Sequence, residues 1–178
     1  MMMPPAEPSL RQLVAPFAQA DDRRAAFQLA VTASLFVAGW AAMAWGVLQG
    51  WNYGLVLLLG VPVAGLFIRL FIFQHDCGHG AFFPSRLANN ALGAVLGVVT
   101  FFPYGYWRRT HAIHHASNGN LDEREFGDIV TLTVREYRAL PAWRRLSYRL
   151  YRHPLVLFGI GPAYQFLVKH RFPWDIPF

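Results

Sequence analysis

The chain has 178 residues, of which 54% are hydrophobic and only 15% charged, against roughly 25% charged in average soluble chains. That deficit excludes an ordinary soluble domain, and a single cysteine, Cys77, excludes a disulfide-stapled secreted scaffold. The net charge of +6 comes from sixteen Lys and Arg against ten Asp and Glu. All but Lys169 are arginines and they flank apolar segments, a placement that reads as membrane topology and not as a nucleic-acid-binding stripe.

Residues 1–26 read as a polar tail, proline-rich at its start and without expected regular structure there. A cleavable signal is not expected. The segment is long and mixed in charge, with Glu7, Asp21 and Asp22 against Arg11, Arg23 and Arg24, and the apolar run after it exceeds an h-region. That run, residues 27–48, has no charged side chain. As a helix it would extend about 33 Å, close to the roughly 30 Å of a hydrocarbon core, and it predicts a first transmembrane helix.

An uncharged turn follows, with Trp51 and Tyr53 suited to the interfacial aromatic belt. Residues 55–74 predict a second span, in which Pro62 is a tolerated kink and Arg69, near the end, can snorkel to the headgroups. The two spans form a hairpin whose connector has no Lys or Arg. Arg11, Arg23 and Arg24 precede it, and Arg86, Arg108 and Arg109 follow it. The positive-inside tendency then places the emerging chain, from His75 onward, on the cytoplasmic side.

The next apolar stretch, residues 91–102, is too short to cross as a helix and predicts an interfacial or re-entrant segment that Pro103 ends. Such a segment returns the chain to the same face, so residues 75–79 can meet residues 111–115. The arginine-rich aromatic stretch EYRALPAWRRLSYRLYRH predicts a helix on or near the membrane surface. Residues 155–168, with Gly159, Gly161 and Pro162, are marginal as a further membrane segment. The expectation is an all-α integral membrane protein.

Of seven histidines, His75 and His79 fall in HDCGH and His111, His114 and His115 in HAIHH. Residues three and four apart share a helix face, so each group presents its imidazoles together. Two such groups, each beside an apolar segment, predict a metal site, because ionisable groups near hydrocarbon are costly and usually functional. Imidazole suits zinc, iron, copper and nickel alike. A single tetrahedral zinc takes three or four ligands, so five histidines point to two ions. Neither group supplies the glutamate of the HExxH pattern, which argues against zinc hydrolysis.

Cys77, two positions after His75, faces away from the ligands and reads as filler. Asp76 also points off the ligand face and is a candidate for holding a histidine ring or an arginine from behind. Trp107 and Arg108, with Arg109, lie one turn before the second group and read either as interfacial anchors or as support for the ligands. Asp122, Glu123, Glu125 and Asp128 belong to SNGNLDEREFGD, either a solvated loop or an arginine-pairing element. His153 and His170 lie outside both groups and read as ordinary polar or interfacial residues.

HDCGHGAFF (residues 75–83), FFPYGYWRRTHAIHH (residues 101–115) and NGNLDEREFGDI (residues 118–129) resemble the membrane fatty acid desaturases, in particular the bacterial and plastid-like delta-12, or omega-6, branch. The resemblance covers roughly residues 55–178. It implies a non-haem di-iron enzyme of the bacterial inner membrane, with two iron ions held mainly by histidines at the cytoplasmic face. Such an enzyme uses O₂ and two electrons from a ferredoxin or cytochrome b5-like donor to place a cis double bond in a fatty acyl lipid. Under this resemblance His75 and His79 match the first histidine box and His111, His114 and His115 the second. Asp76, Trp107, Arg108 and Asp122 are the candidate supports around them.

The family's third box, of HxxHH type, is not matched by His153 or His170. Residues 27–178 are therefore expected to be a partial desaturase domain, a fragment not active alone. Two other readings stand beside this one: a related di-iron membrane hydroxylase of alkyl or carotenoid substrates, and a catalytically inactive membrane remnant.

Overall fold

The computed structural model describes residues 9–17, 19–124 and 129–171, and among these every regular element is helical. The chain divides into two compact units, Met1–Leu96 and Gly97–Phe178.

In the first unit a short helix α1 (Leu10–Val14) continues into a 3-10 turn at Ala15–Phe17. No element is expected in this stretch from its composition. Ser9 and Gln12 provide the reason: the Ser9 N–H donates to Gln12 Oε1 at 2.8 Å while the Gln12 N–H donates to Ser9 Oγ at 3.4 Å. This reciprocal pairing satisfies donors that a helix start otherwise leaves bare.

Helix α2 (Asp22–Leu48) starts five residues before the apolar run, because Asp21 caps it by accepting from the Arg24 N–H at 2.7 Å. Helix α3 (Tyr53–His79) is capped by Asn52, whose side chain accepts from the Gly54 N–H at 2.8 Å. Pro62 lies inside it. Both helices are long and apolar enough to cross a membrane, and only 11% and 17% of their most apolar windows are buried inside the protein. Side chains such as Leu35, Val37, Leu57, Leu58 and Val61 point outward; water would not tolerate so much apolar surface, whereas lipid does.

The two helices pack as the expected hairpin. A Cβ at Gly39 would sit 2.5 Å from Val63 Cγ2, so the absence of a side chain there lets the helices approach closely. The Phe36 and Phe67 rings meet at 6.3 Å, and at the connector Trp45 and Trp51 stand edge to face at 5.5 Å. Arg69 lies over the Phe73 ring at 5.6 Å, one turn nearer the helix end, which is the direction snorkelling requires.

Helix α3 does not stop where its apolar run stops. Its 27 residues extend about 40 Å, some 10 Å more than a hydrocarbon core, so the last turns project past the membrane and carry residues 75–79 with them. Gly80, at φ +70°, ends the helix in the left-handed conformation, and the Ala81 N–H closes the turn onto Asp76 O at 2.9 Å.

Helix α4 (Arg86–Val99) begins five residues before the predicted interfacial stretch and is itself too short to span. One face, Asn89, Gly93, Leu96 and Gly97, is buried, while Val95 and Val98 point outward. After it, Phe102 N–H donates to Gly97 O at 2.9 Å and Phe101 takes φ +60°, a tight turn that Pro103 follows.

In the second unit α5 (Tyr104–Ser117) carries the second histidine group. A loop leads to α6 (Val134–Ala139), where Thr133 and Glu136 form a capping box, and to α7 (Ala142–Tyr151). Residues 155–168 form a broken helix: a π-helical turn, Val156–Ile160, precedes α8 (Gly161–Leu167). Pro162, without an N–H, cannot continue the regular ladder, and the Gly161 N–H bonds back to Val156 O instead.

Candidate metal centre

The first pair rests on the last turn of α3. His75 Nε2 and His79 Nε2 lie 3.3 Å apart, with the rings edge to face. His75 Nδ1 is 3.1 Å from Asp76 Oδ1. In the tautomer that carries its proton on Nδ1, His75 donates to this carboxylate and turns Nε2 toward His79 as the metal-ligating nitrogen. Cys77, in the middle of HDCGH, is 1% exposed and belongs to the core, in agreement with its reading as filler.

The second pair rests on the last two turns of α5. His111 Nε2 and His115 Nε2 lie 3.1 Å apart, again edge to face. His114 stands beside them, its ring 6.0 Å from His111 and 5.7 Å from His115. Trp107 is buried and its indole stacks on the His111 ring, centroids 4.6 Å apart and planes 16° from parallel. Trp107 is thus placed against one of the candidate ligands.

Each pair has the bite a metal ion needs. With metal–nitrogen bonds of about 2.1 Å and an angle of about 90–109° at the metal, two imidazole nitrogens sit about 3.0–3.4 Å apart; the observed separations are 3.3 and 3.1 Å. Both pairs also lie at helix C-termini, where the unpaired carbonyl ends favour positive charge. His75 and His111 are half-buried while His79 and His115 are exposed. The donor set is all imidazole and it fits a first-row transition metal.

The remaining candidates are placed differently. Arg108 lies over the Tyr104 ring at 5.7 Å. Asp122 is exposed in a turn held by its own N–H to Asn120 Oδ1 at 3.0 Å. The loop does pair an arginine: Arg124 Nη1 donates to Glu136 Oε1 at 2.9 Å. Glu136 is held down to about 2 by that bond first and then by bonds from Thr133. Glu125 and Asp128 lie outside the described residues, as do Glu7 and the side chains of Arg11 and His170. His153 Nδ1 accepts from the Leu155 N–H at 3.3 Å, a local role in starting the next helix.

One residue that sequence reasoning passed over secures the loop that follows the first pair. Asn89, 1% exposed, accepts from the Phe83 N–H at 2.9 Å and donates to Phe83 O at 2.7 Å and Ser85 O at 3.0 Å. It ties down the loop that leaves His79, while Phe82 packs on Phe73 of α3 at 4.9 Å. The available signal was the pair of amides, Asn89 and Asn90, that opens the otherwise apolar stretch NNALGAVLG.

Residues 51–178 match the family model described as fatty acid desaturase. The chain belongs to the fatty acid desaturase family. The matched stretch holds both histidine pairs, Asp76, Asn89 and Trp107. Among curated relatives, a fatty acid desaturase of Bacillus subtilis is 44% identical over 165 residues, covering 92% of this chain and 46% of the relative. An sn-1 acyl-lipid omega-3 desaturase (ferredoxin) of Synechocystis is 34% identical over 134 residues, 72% of this chain and 35% of the relative. An acyl-lipid omega-3 desaturase (cytochrome b5) of Arabidopsis thaliana is 32% identical over 100 residues, 56% of this chain and 25% of the relative. The chain thus spans less than half the length of these relatives. No solved structure matches it significantly.

Proposed function

We propose that this chain forms part of an oxygen-dependent membrane desaturase in which His75, His79, His111, His114 and His115 together hold two iron ions. The observation that carries the reading is the pair of Nε2 separations, each matched to a metal ion. Iron bound there would supply, with O₂ and two electrons, the oxidising power that breaking unactivated C–H bonds requires. Overall, two hydrogens leave adjacent methylenes of an acyl chain and, with two protons and two electrons, O₂ becomes two waters.

The protein's own groups set up the site. Asp76 fixes the tautomer of His75, Trp107 fixes the plane of His111, and Asn89 holds the loop behind His79. Five imidazoles fall short of the four to six donors each of two ions takes, so the reading includes further ligands from outside these residues. The donor is a ferredoxin or a cytochrome b5-like protein, the two carriers for which the Synechocystis and Arabidopsis relatives are named. The acyl substrate is a membrane lipid; the arginines flanking the hairpin, by the positive-inside tendency, support a reading with the histidines on the cytoplasmic side of a bacterial inner membrane.

The test is acyl-chain analysis by gas chromatography and mass spectrometry of a bacterial host expressing the complete reading frame from which this sequence comes. A new cis-unsaturated chain, two hydrogens lighter than its saturated parent and absent with His75→Ala, is the expected result. A product heavier by one oxygen would replace desaturation with hydroxylation. No product, with a folded membrane protein present, would leave a catalytically inactive remnant.

A further inference from the structure

Among the described residues, helix α7 is tied to its own unit through one side. The Leu132 N–H donates to the Tyr148 hydroxyl oxygen at 3.2 Å, Arg152 Nη1 donates to Val130 O at 3.0 Å, and the Tyr137 and Tyr148 rings meet at 5.6 Å. At 100° per residue, Tyr148 and Arg152 lie within about 40° of one another. Trp143, Leu146 and Leu150 cluster on the opposite side of the helix, about 180° away, and all three are exposed, at 66%, 56% and 57%. Arg149 borders this apolar stripe, about 60° from Leu146, and Arg144 lies over the Trp143 ring at 5.0 Å, while Arg145 falls within about 20° of Arg152 on the packed side. The helix contains no acid. Beyond its end Leu155, Phe158 and Ile160 continue the exposed apolar surface.

We propose that α7 docks on the bilayer surface through this stripe, with Arg144 and Arg149 binding the phosphates of anionic lipid headgroups. Three features select lipid as the occupant. The stripe is narrow, apolar and led by a tryptophan, the side chain that settles at the headgroup level. Its borders are cationic, complementary to an anionic leaflet. The same chain carries two helices fit to cross a membrane, so a bilayer is always within reach of it. An acidic soluble protein would match the arginines but has no need of the exposed Trp143, Leu146 and Leu150.

The experiment uses the full 178-residue chain reconstituted into vesicles, with an environment-sensitive fluorophore on Leu146→Cys. Cys77 is 1% exposed, and labelling the chain without the added cysteine measures any reaction there. Vesicles are either neutral phosphatidylcholine or phosphatidylcholine with about 30% phosphatidylglycerol, each containing lipid brominated near the headgroup; the anionic fraction is chosen to give a strongly charged leaflet. Strong quenching in the anionic vesicles and weak quenching in the neutral ones is the expected result. Replacing Arg144 and Arg149 by glutamine should cut the docked-to-free ratio about 25-fold, near fivefold for each, and replacement by lysine should restore it. Equal quenching in both lipids, or none in either, would overturn the proposal. So would a label that stays unquenched until an acidic electron carrier such as a ferredoxin is added, which would assign the face to a protein.

Discussion

Replacing Asn89 by alanine removes three hydrogen bonds from a nearly inaccessible position and leaves the Phe83 N–H, Phe83 O and Ser85 O without that partner. Intramolecular hydrogen bonds contribute about 1 kcal/mol each, and orphaned buried groups cost about 1–3 kcal/mol. A local loss of about 2–4 kcal/mol follows for the stretch between Gly80 and Asn89. Because that stretch ends α3 and packs Phe82 on Phe73, the change should appear first as opening of the loop and fraying of the last turn, not as collapse of the hairpin. Hydrogen exchange read by mass spectrometry on the detergent-solubilised chain measures this directly. The amides of Ala81, Phe82, Phe83 and Ser85 should exchange about 30- to 1,000-fold faster, the equivalent of that free energy at 1.4 kcal/mol per factor of ten, while amides in the middle of α2 and α3 stay unchanged. Asn89→Asp keeps the acceptor for the Phe83 N–H but turns a donor into a carboxylate facing two carbonyls, so it should not rescue. Unchanged exchange at residues 81–85 in Asn89→Ala would refute the assignment of Asn89 as the clamp.

Three further outcomes are expected. Gly39→Leu should weaken the α2–α3 hairpin by about 1–3 kcal/mol through overpacking, read by denaturant unfolding in detergent, and Val63→Ala should recover part of it because the clash is with Val63 Cγ2. The Glu136 carboxyl is depressed from 4.5 to about 2, so the cap it gives α6 is fully present above the unfolded value and is lost as pH falls from near 4.5 through 2; exchange at residues 133–139 should rise over that window, and Glu136→Gln should abolish the pH dependence. Trp107→Ala should lower metal affinity about 10- to 100-fold, the usual effect of removing a group that orients a ligand, while Trp107→Phe, which can still stack on His111, should retain most of it by competition with a chelator.

The parts of this molecule that were legible in the sequence are those written in local periodicity and charge. Twenty-two residues without a charge announce α2, and imidazoles four apart on a helix must meet, as His75 with His79 and His111 with His115 do. Element ends were less legible because caps decide them: Asp21 starts α2 ahead of the apolar run, and Gly80 lets α3 continue through the histidines. Ser9 and Gln12 build α1 where composition suggested none. The role of Asn89 was not legible at all from spacing, and that of Trp107 only in part. Four positions before His111, Trp107 shares its helix face, but spacing left open whether it anchors at the interface or stacks on the ring, as it does. Asn89 contacts residues four and six positions earlier, across a loop whose path no periodicity encodes.

The central claim is that the histidines of α3 and α5 are metal ligands. Metal content by mass spectrometry decides it, on the detergent-purified chain carrying no polyhistidine tag, alongside His75→Ala/His79→Ala and His111→Ala/His115→Ala. Iron that copurifies with the unaltered chain and is lost in both double variants is the predicted result. A metal content that is the same in all three polypeptides would contradict the account.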